Sequence, residues 1–142
     1  MARRGVKHRR GRSVQRLAGT RGHGAALLGG VALAGGAAAF VRAFPGWFDG
    51  GLSAVLLFAA TAALTAAGVF VMRFAARPGG LVDLVGTVAA GALLTDGLLL
   101  AFAPGLYGGD EVTLRHAGAW LLFGGGAVMG FAVLLKTRAV ER

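Results

Sequence analysis

The chain contains no cysteine. That absence excludes disulfides, thiolate metal sites, iron–sulfur clusters and dithiol redox chemistry. Asparagine and isoleucine are absent as well. Both draw on AT-rich codons, so a GC-rich bacterial genome is expected. Proline is scarce, at three residues in 142, and charge is scarce too: 15% of residues, against about 25% in soluble domains. The space is filled by apolar residues, 56% of the chain, and the mean hydropathy is +0.68. So little polar material cannot cover a surface facing water. The lipid bilayer is the expected solvent.

Four apolar segments stand out, about Gly24–Val41, Leu52–Met72, Leu81–Ala103 and His116–Leu135. Each approaches the ~20 residues that a helix needs to cross a hydrocarbon core of ~30 Å. Pro45, Pro78 and Pro104 each lie between two segments, and each is followed by glycine. Proline presets φ and glycine accepts positive φ, so each pair marks a turn. No segment alternates with period two. In lipid, where only helices and closed barrels satisfy the backbone, this leaves helices. The expected fold is all-α: a four-transmembrane-helix bundle over residues 24–135, a basic tail over 1–23 and a short C-terminus over 136–142.

The +9 net charge is uneven. Residues 1–23 carry Arg3, Arg4, Lys7, Arg9, Arg10, Arg12, Arg16 and Arg21 and no acid. With four spans the two termini and the middle loop share one side. That side holds thirteen basic residues, including Arg73, Arg77, Lys136, Arg138 and Arg142, and the other holds Arg42 and Arg115 alone. The positive-inside rule therefore places both termini inside, in a plasma (inner) membrane. Phe44, Trp47, Phe48 and Tyr107 then fall at the outer interface, as an aromatic belt would. The tail lacks apolar periodicity and is expected to be disordered in water. Its first role is to fix topology, and its second is to dock on anionic lipid. Nucleic acid is not expected, because no aromatic residues are interleaved to stack bases. A rival parse reads the tail and AALLGGVALAGGAAA as a signal peptide cleaved near Ala37–Ala39, which leaves three spans. The long basic block and the continuation into Phe40 and Val41 favour an uncleaved span.

Lipid tails are as apolar as leucine, so close contact of small residues, rather than hydrophobic burial, joins helices in a bilayer. Candidates are Gly29, Gly30, Gly35 and Gly36, then Ala59, Ala63 and Ala67, then Gly86 and Ala90, and the GxxxG pair Gly126 and Gly130. They suit a tight bundle first. Contact between copies, as a homo-oligomer or in a larger membrane complex, is the second use.

Asp96 interrupts the apolar run of the third segment. An aspartate at a span centre costs ~2.5–3.5 kcal/mol on insertion scales, so it should face the bundle and hold a partner. Trp120, Thr61 and Thr65 fall at comparable depth, with Arg42 and His116 higher, at the outer edge. Two readings follow. Asp96 hydrogen-bonded to Trp120 or a threonine fixes helix register. Alternatively, Asp96 titrates in a small proton- or cation-coupled transporter or channel. Asp83, thirteen residues away, falls on nearly the opposite face and suits a helix N-terminus. Histidine is missing from the span centres, and no paired carboxylates, nucleophilic triad or phosphate loop is present. No catalytic, cofactor or metal site is expected, and the chain is not expected to be an enzyme.

LLTDGLLLAFAPGLYG followed by RHAGAWLLFGGGAVMGFAVLL resembles a family of small four-span bacterial membrane proteins known only as a domain of unknown function. The likeness covers about the last 60 residues and rests on Leu93, Leu94, Asp96, Phe102, Pro104 and Gly118–Leu122. It implies four spans and an Asp96–Trp120 pair, and it implies no activity. Small multidrug transporters are similar in size only, since their essential acid lies in the first span, where this chain has none. The function expected is structural, an interaction protein or accessory subunit, with the transporter as the alternative.

Overall fold

The computed structural model describes the backbone of residues 7–76 and 80–140 and the side chains of residues 22–76 and 80–136. All regular structure among them is helical: α1 (Lys7–Ala43), α2 (Gly51–Ala75), α3 (Leu81–Phe102) and α4 (Glu111–Val140). The apolar stretches Gly22–Ala43, Gly51–Ala75, Leu81–Phe102 and Glu111–Lys136 are each long enough to cross a membrane. The chain is a four-transmembrane-helix bundle. Its layering inverts that of a soluble domain. Leu28, Leu52, Leu64, Phe74 and Phe102 point outward, while Ala34, Ala38, Ala89, Ala117 and Ala132 are buried. Small residues inside let helix backbones approach, and large ones outside face hydrocarbon.

Two boundaries differ from expectation. α4 begins at Glu111, five residues before His116, because Asp110 caps it. Asp110 Oδ1 accepts the Thr113 N–H at 2.9 Å, which satisfies one orphan donor of the first turn. The α1 backbone continues through the basic segment to Lys7, where disorder was expected. A helix already nucleated by a span propagates cheaply, and Arg, Gln, Leu and Ala are good helix formers. Residues 1–6, the side chains of the whole basic block through Arg21, the Arg77-Pro78-Gly79 turn and the side chains beyond Lys136 lie outside the described residues.

The remaining two connections are built alike. Pro45–Trp47 and Pro104–Leu106 each form one 3-10 turn with proline at its start. The next residue, Phe48 or Tyr107, donates its N–H back to the proline carbonyl. That bond turns the aromatic side chain inward: Phe48 is 1% exposed and Tyr107 is fully buried. These two residues therefore belong to the core and not to an interfacial belt; Phe44 and Trp47 stay exposed. The positive φ expected at the glycine after proline occurs later. It falls at Gly50 and Gly51 in one turn and at Gly108 and Gly109 in the other, where the chain leaves the 3-10 turn to enter a helix.

Helix packing does not follow chain order. α1 packs along α3, α3 along α4 and α4 along α2, whereas α1 and α2 scarcely touch along their lengths. The α1–α3 contact is the closest. A Cβ on Gly30 would lie 2.3 Å from the Val88 carbonyl oxygen, and one on Gly91 would lie 2.7 Å from that of Leu27. Arg42 Nη1 then donates to the Gly105 carbonyl at 3.1 Å, so α1 and α3 run in the same direction and are stapled at one end. Gly86 faces Met129 of α4, 3.7 Å from an added Cβ, whereas most of the other small-residue candidates turn outward. Gly29, Gly35, Gly36, Gly126 and Gly130 have nothing within 4 Å of an added Cβ, and Ala59, Ala63 and Ala67 are exposed.

Two apolar clusters hold the bundle. At the end carrying both 3-10 turns, Ala38, Val41, Phe48, Leu57, Tyr107 and Ala117 form a core, with Phe40 and Trp120 against it. At the opposite end Val69, Val85 and Ala132 form a second core among the described residues, with Met72, Val82 and Met129 packed against it.

Candidate functional site

Between the two clusters lies a cavity of ≈ 230 Å³ lined by all four helices. Most of its wall is aliphatic: Leu33 and Ala37 of α1, Met72 of α2, Val88, Ala92 and Leu93 of α3, Leu121 and Val128 of α4. Its polar lining comes from Asp96, Thr61, Thr65 and Trp120. The four candidate residues within the spans thus share one cavity. Asp96 is six residues from the end of α3, or about 9 Å at the helical rise.

The pairing among them is not the expected one. Asp96 bonds to neither Trp120 nor a threonine. Its Oδ1 accepts the phenolic O–H of Tyr107 at 2.5 Å. Trp120 instead donates its indole N–H to Thr61 Oγ1 at 2.6 Å. The Thr61 hydroxyl donates in turn to the Leu57 carbonyl at 2.8 Å, and that of Thr65 to the Thr61 and Ala62 carbonyls. Both threonines have therefore spent their donors on their own helix, which leaves none for Asp96. The carboxylate is supplied from the turn above it. Tyr107 is eleven residues downstream, and the Pro104 turn returns the chain over the end of α3.

Burial, followed by the hydrogen bond and charge of Asp96, pushes the Tyr107 phenol above its usual range. Tyr107 therefore remains a protonated donor. Asp96 itself is 4% exposed. The outer-edge candidates are placed apart from it. Arg42 spends Nη1 on Gly105, and its stem lies over Gly108. His116 Nδ1 is buried with no hydrogen-bond partner among the described residues.

Above the cavity the aromatic rings form a continuous cap. Phe40 and Phe48 have centroids 5.7 and 5.5 Å from that of Trp120, with Phe40 and Phe48 6.2 Å apart. Edge and tilted contacts of this kind lock ring orientation and fix the Trp120 indole toward Thr61. Tyr107 is the site residue that the sequence concealed. The one usable signal was its uniqueness: it is the only tyrosine, and its hydroxyl tip needs a partner once the ring is buried.

Comparison with known protein families, with curated proteins and with solved structures finds no match for this chain.

Proposed function

We propose that this protein is a non-catalytic structural or accessory component of a bacterial inner membrane, with both termini inside. One observation carries the reading. Among the described residues, the one carboxylate lining the cavity is engaged by a tyrosine from the adjoining turn, and no other acid, base or histidine lines the cavity with it. A proton or cation pathway needs a chain of exchangeable groups. A lone Asp–Tyr bond instead locks a turn to a helix, which is a structural task. Ala59, Ala63 and Ala67 on α2 are exposed, and an added Cβ on Gly126 or Gly130 of α4 would meet nothing within 4 Å. They suit close contact with another transmembrane helix, from a second copy or a larger complex. The thirteen-to-two division of basic residues supports the orientation. The bilayer is the surrounding partner, and the basic segment 1–23 adds attraction to anionic lipid.

The test is ion flux in proteoliposomes, with the wild type beside Asp96→Asn. The structural reading expects no pH-driven flux from either protein and similar thermal stability in both, since asparagine still accepts the tyrosine hydrogen bond. A wild-type proton flux that disappears in a stable Asp96→Asn protein overturns it and establishes the transporter.

A further inference from the structure

The cavity extends along the helices. Its lining runs from Val88 to Asp96 along α3 and from Trp120 to Val128 along α4, eight residues in each case or about 12 Å at the helical rise. That length matches an extended alkyl chain of about ten carbons. An enclosed apolar cavity of about 150 Å³ already accepts benzene, so the volume admits a larger guest.

The polarity is divided along the axis. Asp96, Thr61 and Trp120 mark one end, and Val88, Val128 and Met72 mark the other. Tyr107 occupies only Oδ1 of Asp96. Oδ2 carries no hydrogen bond among the described residues. Asp96 lines the cavity while being only 4% exposed. A carboxylate oxygen at the polar end of an apolar cavity thus lacks a donor, and in hydrocarbon that deficit is costly. An ammonium supplies both the donor and the opposite charge, and the neighbouring indole attracts a cation. A carboxylate guest would face Asp96 as a like charge.

Access is also visible. Three sides of the ring around the cavity are packed seams, α1–α3, α3–α4 and α4–α2, and the fourth, α1–α2, is not. A guest already dissolved in the bilayer reaches the cavity through that flank without crossing water.

We propose that the cavity binds one single-chain lipophilic amine. Its ammonium N–H donates to Asp96 Oδ2 beside Trp120, and its tail lies along α3 and α4 toward Val128. An alkyl amine has a pKa near that of lysine, about 10.4, and is cationic at neutral pH. The site leaves the Asp96–Tyr107 bond intact and so does not depend on whether the protein also conducts ions.

Labelled decylamine, decanol and decanoate are titrated into the protein in phosphatidylcholine nanodiscs, with binding to empty nanodiscs subtracted. The expected result is saturable binding of one decylammonium per protein, about tenfold tighter than decanol, and no saturable decanoate binding. Asp96→Asn should reduce amine affinity to that of the alcohol. Ala92→Phe, which fills the cavity, should abolish binding of both. The wild-type comparison decides the matter even if a variant fails to insert. The proposal is overturned by absent saturable binding, by equal wild-type affinity for amine and alcohol, by saturable decanoate binding, or by an amine preference that survives Asp96→Asn.

Discussion

Tyr107 donates to Asp96 from across a proline turn, with 2.5 Å between the phenolic oxygen and Oδ1. The bond joins the last third of α3 to the turn that follows it. It holds in place a carboxylate that lines the central cavity. Its twin in the chain is Phe48, placed by the same Pro-Gly-x-aromatic turn after α1. There the inward ring carries no hydroxyl, and no acid lies beneath it to need one.

The pair should behave as a unit. Tyr107→Phe keeps the ring and removes the donor, and Asp96→Leu removes the acceptor. Each should lower stability in detergent by about 0.6–2 kcal/mol, the range for interhelical hydrogen bonds in membranes, and the double variant should lose less than the sum. Asp96→Asn should be nearly silent. Additive losses in thermal unfolding would show that the bond contributes nothing.

Trp120 should couple to Thr61 instead. Trp120→Phe and Thr61→Val each remove one side of the 2.6 Å contact. Their combination should again be less than additive, and that coupling should exceed the coupling of Trp120→Phe with Tyr107→Phe, whose residues share a core but no hydrogen bond. Strong coupling between Trp120 and Tyr107 would mean that the cap and the turn form one network.

The sequence made four spans legible because length, apolarity and three Pro-Gly pairs all point the same way. It also placed Asp96, Trp120, Thr61 and Thr65 at one depth, because helical rise converts residue count into distance. Partner choice within that layer was not legible. Depth fixes height and leaves rotation open, and rotation here follows from the Gly30–Gly91 contact. Tyr107 read as an interfacial aromatic because a turn residue looks exposed until the 3-10 geometry is known. Gly126 and Gly130 read as internal packing because a GxxxG spacing is the same whether its face meets this bundle or another chain.

Glycine substitutions should separate those two uses. Gly30→Ala and Gly91→Ala place a methyl against a neighbouring backbone carbonyl, which cannot rotate away. α1 must move off α3, at a cost of about 1–3 kcal/mol as in other overpacked cores. Gly126→Ala and Gly130→Ala meet nothing within 4 Å and should leave the unfolding of the monomer unchanged. Loss of stability at Gly126 in dilute detergent would contradict the packing order described above.

Orientation is open to labelling. Cysteines at Asp49 and Leu106, in the two 3-10 connections, should react with an impermeant thiol reagent applied to intact cells. A cysteine at Arg77 should react only after the membrane is opened. The natural chain has no cysteine, so there is no background. Labelling of Arg77→Cys in intact cells would reverse the proposed topology.

Acid should loosen the start of α4 through Asp110. The carboxylate accepts the Thr113 backbone N–H at 2.9 Å. This bond first, and the Thr113 side chain second, hold its carboxyl below the ordinary aspartate value of 3.8. A group whose pKa is depressed by folding contributes stability above its unfolded value and loses it as the pH falls through the folded one. The loss should therefore begin near pH 3.8 and be complete only below the depressed folded value. Asp110→Asn keeps a capping oxygen that cannot be protonated in this range, so it should abolish the Asp110 share of that acid dependence and cost little at neutral pH. Asp110→Ala should lower neutral stability and show the same flattened acid response. Hydrogen exchange at the first turn of α4, followed from pH 6 to pH 3, reads this end of the helix directly. Identical pH profiles for the wild type and Asp110→Asn would remove Asp110 as the capping group.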